Sequence, residues 1–290
     1  MKYAALSLAL GASVLGSASP ILAALPSVSA APAATIWYSE EFVLHSKSVG
    51  RDFLIQVARP HKPQPGKVPA VYLLDGDEAF GEVADMEGSF GEFGDAAPAY
   101  VIGIAYPERA YADWIRLREH DFLHVAGARL GPRTAGFGEG GRFQDFLLKE
   151  LRPAIEARYP VDPKRTVLIG HSFGGLFAAH VLLNTPKAFQ TYLIASPSLW
   201  AEPGLLDKAA AFRAPDPVKV FIGVGSKEEA QFAGAGMVTK ARALADRLRS
   251  HPSNAEVGFY EVEGENHGTS APALYARGLQ FALPGTAQKR

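Results

Sequence analysis

The chain contains no cysteine. Disulfides, thiolate nucleophiles and cysteine-ligated zinc are therefore excluded. A fold without such staples must rest on its core. With 290 residues, 48% of them hydrophobic, the chain is long enough to build one. An excess of one charge is also missing. Lys and Arg number 29 against 30 Asp and Glu, for a net −1, and the signs are mixed along the chain. That excludes the basic stripe of a nucleic-acid binder and the acidic run of a solvating tail. Beyond the first thirty residues there is no apolar run long enough to span a bilayer.

Those first residues differ from the rest. Met1-Lys2 gives a positive start, Ala4 to Leu15 is apolar, and small residues with Pro20 follow. This is the layout of a secretory signal peptide. The run is shorter than the roughly 20 residues of a spanning helix. Cleavage is expected after Val28-Ser29-Ala30, with Ile21-Leu22-Ala23 as the second choice. Residues 1–30 are thus expected to be a cleaved leader, and 31–290 a single domain. The mature protein is expected to be exported, periplasmic or secreted, with no stable membrane insertion.

The body alternates between two periodicities. Glu41–His45 and Phe53–Val57 flank turn residues Ser48-Val49-Gly50, which predicts an antiparallel hairpin. Val68–Leu74, Tyr100–Ala105, Thr166–Ile169, Thr191–Ala195 and Val218–Val224 are continuous apolar runs, as strands buried on both faces require. Val257–Val262 alternates more and reads as an edge strand. Between the runs, Phe143, Phe146, Leu147, Leu151 and Ile155 mark one helix face, which Pro153 should kink or end. Phe173–Leu183 is apolar almost all round. Val238, Ala241, Leu244, Ala245 and Leu248 form another stripe, and Leu274, Leu279 and Leu283 a last one. The alternation predicts an α/β fold: a mostly parallel sheet with antiparallel N-terminal edge strands and helices on both faces. Residues 108–141 show no clear strand and carry charges, aromatics and glycines, so they read as an active-site loop insert.

Gly170, Ser172 and Gly174 form G-x-S-x-G. The motif alone is weak. Here a buried strand leads into it and an apolar helix leads out, which is the context of a nucleophile elbow and of the α/β-hydrolase fold. Glycine two positions either side of the serine removes side chains that would collide in so tight a turn. The serine is then the candidate nucleophile, and the Phe173 N–H an oxyanion donor. In this fold an acid and then a histidine follow the serine in chain order. Of eight histidines, His267 combines that order with a loop position between Gly264 and Gly268. Glu228 is the first choice for the acid that orients it, with Glu229 close behind. The second oxyanion donor should come from Gly76 or Asp77, after the Val68–Leu74 run. Asp75 could instead line the pocket. Arg116, Arg118 and Trp200 are candidates for substrate recognition, the alternative being that both arginines form internal ion pairs. His120, Asp121 and His124 could hold a metal only on one helix face, and no H-E-x-x-H pattern is present.

The chain resembles an esterase branch of the α/β-hydrolases that includes the trilactone siderophore esterases acting on enterobactin and salmochelin. Val71-Tyr72-Leu73-Leu74-Asp75-Gly76-Asp77, Arg116–Phe122, Glu150 through the elbow to Phe177, and Ser196-Pro197-Ser198-Leu199-Trp200 carry the resemblance. It implies serine ester hydrolysis without metal or cofactor, on a small-molecule ester that is aryl-bearing or of siderophore-lactone type. Ser172, His267 and Glu228 stand at the family's catalytic positions. Where relatives often read Asp-Tyr-Thr-Pro, this chain has Asp121-Phe122-Leu123-His124, which alters the pocket wall. Two other functions fit the same residues: an acyltransferase using the same triad, and a non-catalytic binding module. Nothing in the sequence fixes an oligomeric state.

Overall fold

The computed structural model describes residues 35–108, 110–124 and 138–286. The expected leader lies outside these residues, as does part of the expected insert. The apolar runs form eight strands: β1 (Ser39–Ser46), β2 (Arg51–Ala58), β3 (Val68–Leu73), β4 (Tyr100–Ala105), β5 (Val161–His171), β6 (Thr191–Ala195), β7 (Val218–Gly225) and β8 (Ala255–Val262). They make one sheet in the order β1-β2-β4-β3-β5-β6-β7-β8. β1, β2 and β4 pair antiparallel, and every pairing from β4 to β8 is parallel. This is the mostly parallel sheet with an antiparallel N-terminal edge that the runs predict. Successive side chains of a strand point to opposite faces. On β3, Ala70 and Tyr72 therefore join one core and Val71 and Leu73 the other.

Nine helices are described: α1 (Gly76–Phe93), α2 (Tyr111–Phe122), α3 (Gly140–Asp145), α4 (Arg152–Arg158), α5 (Phe173–Asn184), α6 (Gly204–Ala211), α7 (Glu228–Gln231), α8 (Met237–Arg249) and α9 (Ala271–Ala282). α1 and α9 cover one face through Phe80, Val83, Leu274 and Leu279. Helices α2 to α6 and α8 cover the other, with Phe122, Phe143, Phe177 and Leu244 among their core residues. The split follows from connectivity. β3 leads through α1 to β4 on one side, and β5 leads through α5 to β6 on the other. Right-handed crossovers running in opposite directions put their helices on opposite faces. The chain thus parts between the C-terminal ends of β3 and β5, which is where open α/β sheets carry their sites. Among the described residues no helix is long and apolar enough to cross a membrane.

Two expectations need correction, and one helix carried no expectation at all. Residues 108–141 are not all loop: Tyr111–Phe122 is helical. Its buried face is Trp114, Leu117, Arg118, Asp121 and Phe122, and two charges on that face hide the apolar period. α1 gave no helical signal either, because Gly81, Gly88 and Gly91 interrupt it. Pro153 does not end its helix. α3 passes through a π-helical turn (Phe146–Leu151) into α4. The wide turn leaves the proline in the first turn of α4, where a missing N–H is tolerated.

Glu87 on α1 is buried at 2% exposure and accepts the Ala99 N–H at 2.5 Å. Burial pushes its carboxyl up to about 8, against the pull of that N–H, so it is protonated in the folded state at neutral pH. A raised folded pKa gives stability that is present below the unfolded value and lost as pH rises through about 8. Glu87→Gln keeps the acceptor and removes the titration. Its stability relative to wild type should therefore grow by about 2–4 kcal/mol between pH 5 and pH 8. Urea unfolding at the two pH values measures this, and a difference that does not change with pH would contradict it.

Candidate active site

Ser172 sits between β5 and α5 with φ 61 and ψ −116, a conformation that non-glycine residues rarely adopt. The turn that forces it is tight. A Cβ on Gly170 would lie 2.1 Å from the Gly174 carbonyl oxygen. The matching tight place is not Gly174 but Gly175, one residue past the motif, whose Cβ would meet the Ala195 oxygen at 2.6 Å. The Ser172 N–H is tied to that same Ala195 oxygen at 3.0 Å, which locks the elbow onto β6. Helix geometry leaves the first N–H groups of a helix without acceptors of their own. Phe173 begins α5, and Gly76 and Asp77 begin α1 across the crevice, so the three expected oxyanion donors stand in two neighbouring helix N-termini.

His267 lies in the loop between β8 and α9. Its Nδ1 is 2.7 Å from Glu228 Oε2. Glu228 is fully buried. Its Oε1 accepts from Ser196 Oγ at 2.7 Å, the Gly225 N–H at 2.7 Å and Ser270 Oγ at 3.2 Å. Burial alone would raise this carboxyl. The hydrogen bonds from His267, Ser196 and Gly225 outweigh it and hold the group below the ordinary range, hence ionised. Glu229 is placed elsewhere. Its carboxylate accepts the N–H groups of Val238 and Thr239 at 2.8 and 3.1 Å and so caps α8. The structure brings Glu228, not Glu229, to His267.

Ser172, Phe173, Trp200 and His267 share a cavity of about 550 Å³, with Phe232 and Met237 on its wall. Trp200 thus stands where a recognition residue should, and its ring is 5.9 Å from that of Phe173. The other recognition candidates do not. Asp75 and Arg118 are turned on each other in a buried pair, Nε–Oδ1 2.7 Å and NH2–Oδ2 2.9 Å. Arg118 also donates to the His171 carbonyl at 3.1 Å and lies over the Phe173 ring at 5.6 Å. The pair braces the elbow from behind. Two opposite charges satisfy each other better than either could satisfy a passing ligand. Arg116 is exposed, 3.7 Å from Asp113. Of the His120-Asp121-His124 group, His120 Nδ1 meets Asp121 Oδ1 at 3.1 Å, but His124 does not join them. Asp121 is buried with Arg51 and the Tyr106 hydroxyl, while His124 faces His180.

The sequence did not show the roles of several site residues. The Ser-Pro-Ser-Leu-Trp segment serves three groups in alternation: Ser196 reaches Glu228, Ser198 Oγ is 3.4 Å from Ser172 Oγ, and Trp200 lines the cavity. The motif was visible, but not this division of labour. His171 packs against His267, ring centroids 4.5 Å apart. Burial, with His267 and Arg118 beside it, pushes His171 down to about 3. It is therefore neutral, and its Nε2–H donates to the His267 carbonyl at 3.0 Å. A polar residue inside the elbow could have suggested such a role.

The "Putative esterase" family matches residues 46–273. Over 266 residues the chain is 33% identical to the Ferri-bacillibactin esterase BesA of Bacillus subtilis, covering 86% of this chain and 91% of that one. The crystal structure of the BES protein from Bacillus cereus superposes with a TM-score of 0.78 at 30% identity, covering 88% of this chain and 99% of that one. The siderophore hydrolase EstB from Aspergillus nidulans superposes at 0.74 with 26% identity, over 87% and 98% of the two chains. The chain belongs to this esterase family, carboxylic-ester hydrolases of the α/β-hydrolase fold.

Proposed function

We propose that the chain hydrolyses small or aryl-bearing esters, siderophore-type lactones among them, through an acyl-enzyme on Ser172. The observation that carries this reading is the 2.7 Å contact between buried Glu228 and His267, whose imidazole lines the same cavity as Ser172. A serine hydroxyl needs a base to take its proton as it attacks. His267 is that base, held in one tautomer because ionised Glu228 keeps the proton on Nδ1 and leaves Nε2 free to accept. Ser172 Oγ, resting beside Ser198, turns onto Nε2 as substrate enters, a tightening common in such sites. The ester carbonyl becomes an oxyanion held by the Phe173 N–H and by a donor from Gly76 or Asp77. His267 then returns the proton to the leaving alcohol, and water, deprotonated by the same imidazole, releases the acid. The aromatic wall of Phe173, Trp200 and Phe232 favours flat apolar groups, which suits aryl-bearing esters, and the relatives named as siderophore esterases extend the reading to lactones of that type.

A fluorophosphonate should label the protein at one site, on the peptide holding Ser172, with loss of p-nitrophenyl ester turnover in step with labelling. Excess EDTA should leave the turnover intact. A label on another residue, or turnover that survives full labelling, would refute the mechanism. Iron-free and ferric trilactones offered to the same preparation test the substrate class. Cleavage of the simple ester with neither trilactone opened would remove siderophores from the reading and leave the esterase chemistry standing.

A further inference from the structure

We propose that His124, His180 and Glu202 form a binding site for a divalent transition-metal cation, zinc foremost, that clips the end of α2 to α5. The three residues come from separate places: His124 two residues past α2, His180 on α5, and Glu202 just before α6. One ligand atom from each lies within 4.8 Å of the others. His180 Nδ1 is 3.0 and 3.2 Å from the two Glu202 oxygens. The His124 ring lies flat on that of His180, centroids 3.3 Å apart and planes within 3°.

The unexplained member is His124. Both of its ring nitrogens are buried, and neither has a hydrogen-bond partner. An imidazole has a donor and an acceptor to satisfy, and leaving both unmet indoors is costly. Gly140 makes room for His124: a Cβ there would stand 2.8 Å from Nδ1.

The donor set selects the cation. Two imidazoles and one carboxylate suit zinc, which binds nitrogen at about 2.0–2.1 Å and accepts water in its fourth position. Calcium and magnesium demand oxygen cages instead. The stacked rings do not share a centre as they stand, since a cation lies in the plane of each imidazole it meets. A turn about the last side-chain torsion of His124, which is broad for histidine, aims a nitrogen at the gap beside His180 and Glu202. His180 follows Ser172 by more than two helical turns, about 12 Å along the axis. The cation therefore holds structure and does not touch the reacting atoms.

The test uses untagged mature protein, stripped with a chelator and titrated with Co²⁺. One equivalent should bind with the visible absorption of a four-coordinate site, and Zn²⁺ should displace it. Zinc at a hundred times its Kd should raise Tm by about 5 °C or more. His124→Phe keeps the stacked ring and Glu202→Gln keeps the volume. Each should weaken Co²⁺ binding on the order of 100-fold while the metal-free Tm stays near wild type. That unchanged Tm separates a lost ligand from a lost fold. The proposal fails if the wild-type protein binds no Co²⁺ at millimolar concentration. It fails equally if both variants keep the spectrum, because the ion then sits elsewhere.

Discussion

Ser172→Ala should lower kcat/KM for p-nitrophenyl esters by roughly four to six orders of magnitude. The size follows from what the substitution removes. Without Oγ there is no atom to carry the acyl group, and the two easy steps collapse into one difficult attack by water. The rest of the site stays in place. Glu228 is held by Ser196, Gly225, Ser270 and His267, none of which leans on Ser172 Oγ. The oxyanion donors are backbone groups and remain too, so a residual rate above that of water is expected. His267→Ala should cost about as much, and the double variant no more than either single one, because a nucleophile and its base act as a unit. Purified variants with matched Tm, assayed with enough protein to see the residual rate, give the answer. Turnover within tenfold of wild type in Ser172→Ala would end the acyl-enzyme reading.

What could be read beforehand divides by how local its cause is. Strands β3 to β7 were legible because burial on both faces leaves one kind of residue at every position, as in Val71 to Leu74. The elbow was legible because a sharp strand-to-helix turn demands glycine at fixed offsets from Ser172. Glu228 and Glu229 could not be separated from the sequence. They are neighbours on one helical turn, about 100° apart around its axis, and only tertiary packing decides which faces His267. Asp75 and Arg118 were candidates for recognition, with an internal ion pair as the alternative for the arginine, and the alternative is what the structure holds. Their true partners are each other, 43 residues apart, and no local pattern reports a pairing at that range. Pairings of that range also hid α2, since buried Arg118, held by Asp75, and buried Asp121, held by Arg51, break the apolar stripe that announces a helix.

Gly170→Ala should be among the most damaging single methyl groups that can be added to this protein, destabilising it on the order of 3 kcal/mol or more. The added carbon would lie 2.1 Å from the Gly174 carbonyl oxygen and 2.9 Å from the Gly175 nitrogen. Both are backbone atoms of the first turn of α5, so no side chain can swing aside to make room. Gly174→Ala is the control. It shares the motif, yet its methyl would only approach an Asp75 oxygen at 3.2 Å and Leu74 Cβ at 3.5 Å, and a loss of about 1 kcal/mol is expected. Urea unfolding of the two variants measures the contrast, and equal losses would mean that the collision at Gly170 is not what shapes the turn. Activity should follow the same order more steeply. Any relief at Gly170 must move the α5 N-terminus or open the turn, and Ser172 lies between them with its φ already at 61. A shift shared across that residue moves Oγ relative to His267 and the Phe173 N–H together. Displacements of even 1 Å at reacting atoms can lower rates about 100-fold. Gly170→Ala protein that still folds should therefore be labelled slowly by a fluorophosphonate, while Gly174→Ala is labelled at nearly the wild-type rate.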